Sequence, residues 1–168
     1  MTTIAWSGRF VAADSQVCYG STKGMGKVEK LRQIGNTVYA CIGSGALFSP
    51  MVEWIEKGAK LEDTPNVEAE FDASVLVFRD GKCLVYKARL PYPEELSSPD
   101  AWGSGAEFAI GAMHAGATAY AAVEIACMRD VYSGGPVQVI DLQALREVPR
   151  SREDEIGIVC APDLPSAA

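Results

Sequence analysis

Apolar and polar positions alternate from the second residue onward. In "TTIAWSGRFVAADS" the runs "TTIAW" and "RFVAADS" flank Ser7-Gly8 and predict a β-hairpin. "KVEKLRQI" and "TVYACIG" flank Gly35-Asn36 and predict a second hairpin. The period then changes. In "ALFSPMVEWIEKGAK", Leu47, Met51, Trp54 and Ile55 share one helical face, and Pro50 falls in the first turns, where its missing N–H is tolerated. "EDTPNVEAEFD" is a polar linker, and "ASVLVFRDGKCLVYKA" is the clearest hairpin, with Asp80-Gly81 at its turn. "LPYPEELSSPD" reads as a Pro/Ser-rich loop, and "AEFAIGAMHAGATAYAAVEIACMRD" as two helices broken near Gly116. "PVQVIDL" predicts a strand, "PRSREDE" a charged turn, "IGIVC" a short strand, and residues 161–168 a mobile tail. Hairpins with helices grouped between them predict an α+β layered sandwich rather than alternating βαβ units.

Length and composition bound the class. The 168 residues suit one domain over 1–168, and 48% hydrophobic with 22% charged residues marks a globular chain. A formal net charge of -7 argues against nucleic acid or an anionic membrane as partner, since both reward basic patches. No basic stretch followed by an apolar block opens the chain, and no apolar run approaches the roughly 20 residues of a membrane span. The five cysteines, Cys18, Cys41, Cys83, Cys127 and Cys160, are widely spaced and never form C-x-x-C. They read as reduced, mostly buried thiols of a cytoplasmic protein. His114 is the single histidine, placed at a helix end, so a His-rich zinc site is excluded and a hydrolytic base is expected elsewhere. No metal or cofactor is expected.

Three stretches carry candidate chemistry. "VYACIGSGALFS" has a G-x-G after a strand, but Phe48 stands where a dinucleotide fingerprint needs Gly or Ala, and the strand belongs to a hairpin. "AWGSGAEFAIG" repeats the G-S-G-A pattern, so Ser44 and Ser104 each open a helix. These are either two tight turns or two sets of helix-start N–H groups aimed at one anionic centre. In "RDVYSGGPVQV", Asp130 and Ser133 are three apart between a helix end and a strand, and Gly134-Gly135 supply a turn.

Taken in order, "TTIAW", "VAADS", "KLRQIGNTVYACIGSGA", "WGSGAEFAIGAM" and "RDVYSGGPVQV" resemble the β-type proteasome superfamily, which includes the HslV-like peptidases. The resemblance implies the four-layer αββα sandwich of N-terminal-nucleophile hydrolases. It implies a threonine peptidase whose first-residue hydroxyl is the nucleophile and whose own α-amine is the base. Thr2 takes that place once Met1 is removed. An α-amine has an ordinary pKa of about 7.7–8.0, and a nearby lysine lowers it by like-charge repulsion, so the scheme needs no histidine. Asp14 matches the family's lysine-orienting aspartate, and Lys30, with Lys27 as rival, matches the lysine. Ser44 stands at the backbone N–H of the oxyanion hole, usually a glycine. Ser104, Asp130 and Ser133 match the residues around the threonine amine. Val17, Val28, Ile42 and Ala46 fall at the first specificity pocket with Arg32 at its rim, which implies an apolar preference there. The resemblance also implies a homo-oligomer of two stacked rings acting on unfolded chains, with a separate ATPase unfoldase in several members. Subunit contacts are expected from the outer helices, including Leu47, Met51 and Trp54. An inactive ring or scaffold subunit, and a small-molecule amidase on the same fold, are the other readings compatible with these residues.

Overall fold

The computed structural model describes residues 1–65, 73–88 and 90–147. The expected "IGIVC" strand, the "PRSREDE" turn, Cys160 and the tail 161–168 lie outside the described residues, as does most of the polar linker. The first hairpin forms as read: β1 (Thr3–Trp6) and β2 (Phe10–Ala13) pair antiparallel, with Ile4 opposite Ala13 and Trp6 opposite Val11. A second hairpin, β3 (Gln16–Tyr19) with β4 (Thr22–Lys27), follows. Sequence reading missed it because both its faces are largely exposed, so it lacks the apolar alternation that marks a half-buried strand.

β5 (Leu31–Ile34) and β6 (Thr37–Gly43) form the predicted pair around Gly35-Asn36. Their ladder starts at Leu31, later than "KVEKLRQI" suggested, and residues 28–30 run outside it. A 3-10 turn, Gly45–Leu47, leads into α1 (Phe48–Glu56), with Pro50 in its first turn. β7 (Ala73–Arg79) and β8 (Lys82–Lys87) close at Asp80-Gly81, where φ is +52° and +81°, the left-handed pair a two-residue I′ turn requires.

The expected loop "LPYPEELSSPD" is a correction. Leu90–Leu96 is a strand, β9, at the edge of a five-stranded sheet ordered β5-β6-β7-β8-β9. Edge position tolerates the prolines, whose missing N–H groups need no ladder partner there. Lys82 to Glu95 and Lys87 to Glu94 add cross-strand ion pairs at 3.0 and 2.9 Å. β10 (Asp100–Gly103) then pairs with β1, and β11 (Gln138–Asp141) with β2, giving a second sheet ordered β10-β1-β2-β11. Between β10 and β11 run α2 (Ala106–His114) and α3 (Ala119–Arg129), separated at Gly116 with φ +96°. Thr118 caps α3 by accepting the Ala121 N–H at 3.2 Å. A short α4 (Leu142–Glu147) follows β11.

Period-2 alternation divides the core. Ile4, Trp6, Val11 and Ala13 gather with Leu31, Val38, Ala40, Leu76, Phe78 and Val85 from the other sheet. The alternate residues of β6 and β7, including Tyr39, Cys41, Val75 and Val77, pack against Phe48, Met51, Val52, Trp54 and Ile55 of α1. Ala5 and Ala12 meet Ala109, Ala119, Ala122, Val123 and Ala126 of α2 and α3, small side chains that let the helices lie close to the strands. The chain is thus a mixed α/β structure of two larger sheets, a two-stranded hairpin and four α-helices among the described residues. None of these helices is long and apolar enough to cross a membrane.

One expectation about α1 changes. Met51 and Trp54 are 0% and 3% exposed within their own subunit, so these two side chains cannot supply subunit contacts, whereas Leu47 is only partly buried against the same cluster. Tyr39 anchors the helix further by donating to Glu56. Burial first and the Glu56 carboxylate second push its hydroxyl up to about 12. Met51→Ala should therefore lower the stability of the folded subunit by about 2–5 kcal/mol. In urea unfolding, Met128→Ala, whose side chain is 79% exposed, should shift stability by no more than about 0.5 kcal/mol.

Candidate active site

The first residues of β1 end in a polar cluster built from four segments. Asp14, fully buried just past β2, is its centre. Its Oδ1 accepts the Thr3 N–H at 2.8 Å and the Lys30 ammonium at 2.6 Å. Its Oδ2 accepts the Gln16 and Gly134 N–H groups, both at 3.1 Å. Lys30 is 4% exposed, and its Nζ also donates to the Met1 carbonyl at 3.0 Å. Lys27 is exposed on β4, opposite Gln16, so Lys30 is the lysine that meets Asp14. A buried carboxylate is tolerable only with such donors around it.

Asp130, the residue that ends α3, centres a second group. Its Oδ2 accepts the Ser104 and Ser133 hydroxyls, each at 2.6 Å, and its Oδ1 the Tyr132 N–H at 3.1 Å. Partial burial works to raise the pKa of Asp130. The donated hydrogen bonds from Ser104, Ser133 and Tyr132 and the charge of the N-terminal amine outweigh it, and the net shift is downward. That same amine charge also reaches Cys41, whose thiol burial pushes up to about 11.

The two groups are joined by Thr3, which sequence reading left without a role. Its fully buried hydroxyl lies 2.6 Å from Ser133 Oγ and accepts the Gly105 N–H at 3.1 Å. Ser133 gives its proton to the Asp130 carboxylate, which can only accept, so Thr3 is the donor to Ser133. The signal was the Thr-Thr pair itself, because a strand places neighbours on opposite faces and the second threonine must serve something other than the first. Gly105 was also missed. A Cβ there would stand 2.3 Å from Thr3 Oγ1 and 3.0 Å from the Ala126 Cβ, so only glycine admits this approach. Gly103, at φ +95°, is equally constrained: a Cβ would fall 1.8 Å from the Thr2 carbonyl oxygen.

Thr2 is 5% exposed, and its carbonyl accepts the Ser104 N–H at 2.8 Å. Its own hydroxyl makes no hydrogen bond among the described residues. The start of α2 is thus committed: the Ser104 and Gly105 N–H groups go to the Thr2 carbonyl and the Thr3 hydroxyl. Of the two readings of the G-S-G-A stretches, the one at Ser104 is a turn whose N–H groups are spent on the chain itself. Ser44 lies apart from these hydrogen bonds, at φ -73°, while the preceding Gly43 takes φ +91°. A side chain at Ser44 is therefore free of strain.

The pocket candidates are spread along neighbouring segments. Val17 is half-buried on β3, Val28 is 40% exposed before Lys30, Ile42 packs at the edge of the inter-sheet cluster, and Ala46 is exposed in the 3-10 turn. Arg32 lies 4.6 Å over the Phe48 ring and donates to Ser49 Oγ at 3.1 Å. His114 is the last residue of α2 and takes no part in the cluster.

With this geometry established, comparison with solved structures identifies the fold. The chain is similar to the Thiobacillus denitrificans BPH structure in complex with epoxomicin, at 22% identity and a TM-score of 0.61, over 84% of this chain and 98% of that one. It is similar to Thiobacillus denitrificans BPH alone at 25% identity and a TM-score of 0.59, over 84% and 97%. Eukaryotic HslV from Trypanosoma brucei matches at 24% identity and a TM-score of 0.57, over 83% and 98%. No family model and no curated protein matches the sequence. The fold is that of the HslV and bacterial proteasome-like peptidases, in agreement with the resemblance read from the sequence.

The depressed Asp130 carboxyl sets a pH test. A group whose folded pKa is lowered contributes stability above its unfolded pKa, ordinarily 3.8, and loses it as pH falls through the folded value. The stability advantage of the native chain over Asp130→Asn should stay constant from pH 8 down to about 5 and close below about 4. Urea unfolding at stepped pH measures it. An advantage that vanishes well above pH 5 would show that these hydroxyls do not hold the carboxylate ionised.

Proposed function

We propose that this chain is a threonine-type endopeptidase, with Thr2 as N-terminal nucleophile after removal of Met1. The observation that carries the reading is the convergence of two carboxylate networks, fully buried Asp14 with Lys30 and partly buried Asp130 with Ser104 and Ser133, on the backbone of residues 1–3. The layered order implied by the three core clusters, helix on sheet on sheet on helix, belongs to the same reading.

In the proposed reaction the Thr2 hydroxyl attacks the scissile carbonyl carbon, and its proton passes to the Thr2 α-amine. The C–N bond breaks, the leaving amine takes that proton, and a Thr2 ester remains. Water, deprotonated by the same amine, then cleaves the ester and restores the hydroxyl. Lys30 keeps its charge throughout. Removing Met1 takes away the carbonyl that its Nζ now holds, and frees a donor beside the new amine. The positive charge favours the neutral amine and the developing alkoxide. The Ser44 N–H would stabilise the oxyanion. Val17, Val28, Ile42 and Ala46 with Arg32 at the rim would receive the substrate side chain.

Retained Met1 makes the Thr2 nitrogen an amide, which cannot act as a base, so processing and chemistry are tested together. Native protein incubated with epoxomicin, the compound bound by the Thiobacillus relative, should gain one adduct per chain on a mass lacking one methionine. Thr2→Ala should abolish peptide hydrolysis and the adduct without unfolding the chain. Lys30→Ala should reduce kcat/KM by roughly 10³-fold or more, whereas exposed Lys27→Ala should change it by no more than about threefold. Active protein that retains Met1 would overturn the mechanism.

Assembly into a closed homo-oligomer of two stacked rings is part of the proposal, because enclosure would keep such a nucleophile from folded proteins. A separate ATPase unfoldase would then deliver unfolded chains. With the apolar face of α1 buried in the subunit, the contacts fall to α2 and α3 instead. There Phe108, Tyr120, Ile125 and Met128 are 42%, 43%, 39% and 79% exposed. Sedimentation of the native protein should show a particle of a dozen or more subunits, and Met128→Glu should shift it toward smaller species. A concentration-independent monomer would remove the compartment and favour a small-molecule amidase.

A further inference from the structure

Gln138 links the strand beside Asp14 to the backbone of Lys30. Its backbone lies on β11 opposite Ala13, the residue before Asp14. Its side chain leaves that sheet and closes on the segment that carries Lys30. Oε1 accepts the N–H groups of Lys30 at 3.0 Å and Leu31 at 3.2 Å, and Nε2 donates to the Val28 carbonyl at 2.8 Å. Two N–H groups converging on one atom fix it as the oxygen, so the amide has a single orientation. Residues 28–30 run outside the β4 and β5 ladders, and their other ties are Val28 N–H to the Ser15 carbonyl and Cys41 N–H to the Lys30 carbonyl. One side chain therefore satisfies two backbone groups of a segment that no ladder secures, and the N–H of the first residue of β5. Asn is one methylene shorter, Glu accepts the two N–H groups but cannot donate to Val28, and an apolar residue leaves all three unmet.

We propose that Gln138 is a positioning residue for Lys30: it ties the lysine's backbone to the strand beside Asp14, and so fixes where the ammonium stands relative to Thr2. The kinetic part of this proposal rests on the threonine-peptidase reading, whereas the placement of Lys30 does not. A lysine arm has four rotatable methylenes, and a pair bond to Asp14 alone fixes only its tip. Holding the backbone as well removes the freedom that would let the ammonium swing with its carboxylate away from the nucleophile. Small displacements of such groups are expensive in rate.

The test reads Lys30 directly. Full-length native protein, Gln138→Leu and Gln138→Glu are treated with an amine-acylating ester under native conditions, and acylation of each lysine is timed by peptide mass spectrometry. Exposed Lys27 serves as the internal reference. Lys30 acylation relative to Lys27 should rise about tenfold or more in Gln138→Leu, and by a smaller factor in Gln138→Glu, which keeps two of the three bonds. Peptide hydrolysis by the same proteins should show kcat down about tenfold in Gln138→Leu with KM within about twofold, and partial recovery in Gln138→Glu. If Gln138→Leu fails to fold, Gln138→Glu decides the same comparison. Unchanged Lys30 acylation in a folded variant would overturn the proposal. Increased acylation in Gln138→Leu, where the native protein hydrolyses no peptide, would uphold the positioning of Lys30 and reject the peptidase reading instead.

Discussion

Everything at the chain's beginning depends on one buried negative charge. The Asp14 carboxylate is fully enclosed, and it is held there by three backbone N–H groups and one ammonium drawn from β1, the segment after β2, the Gly134 turn and the Lys30 segment. Isolated in a protein interior such a charge would be prohibitive, so none of these four segments can move away without leaving it uncompensated. The carboxylate thus acts as the point where the first strand, the lysine segment and the C-terminal turn are fastened together. Losing the Lys30 ammonium would leave this buried charge without its counter-ion, the change that costs a buried ion pair most.

Much of this was legible in the sequence, for identifiable reasons. The strands of the β1–β2, β5–β6 and β7–β8 hairpins have one face on the inter-sheet core, and β1, β2, β6 and β7 bury both. Their apolar runs are therefore bounded by turn residues such as Asp80-Gly81. The helices α1, α2 and α3 announce themselves by period and by the break at Gly116. What escaped was structure without an apolar signature. The β3–β4 hairpin is exposed, and β9 carries Pro91 and Pro93 because an edge strand permits them. Those prolines argued for a loop only under the assumption of a central strand.

The site divides the same way. Asp14, Lys30, Ser104, Asp130 and Ser133 were named from a pattern of motifs, and the folded chain brings them together around residues 1–3. The connections among them were not legible, because they run through groups that carry no motif: the Thr3 hydroxyl, the N–H of Gly105 and Gly134, and the Gln138 amide. Backbone donors look alike in any sequence. A glutamine on a short strand reads as an ordinary polar position until its side chain is seen to cross to another segment.

Counting protons among the hydroxyls gives the choice of nucleophile a physical basis. Ser104 and Ser133 both donate to Asp130, and Thr3 donates to Ser133 while accepting from Gly105. Each of these oxygens has its hydrogen directed into an acceptor, and moving it would unpair a carboxylate or break a buried chain. Ser15 has an unpartnered Oγ, but that atom is sealed from solvent beside Gly135. Thr2 differs from all of them: its hydroxyl is uncommitted, and the peptide that follows it is held on both sides, its carbonyl by the Ser104 N–H and its N–H by Asp14. A reactive hydroxyl needs a fixed backbone and a free proton, and in the proposed reaction Thr2 supplies both. The neighbouring threonine, whose hydroxyl both donates and accepts and whose N–H and carbonyl are paired, keeps the strand in the register that presents Thr2 rather than itself.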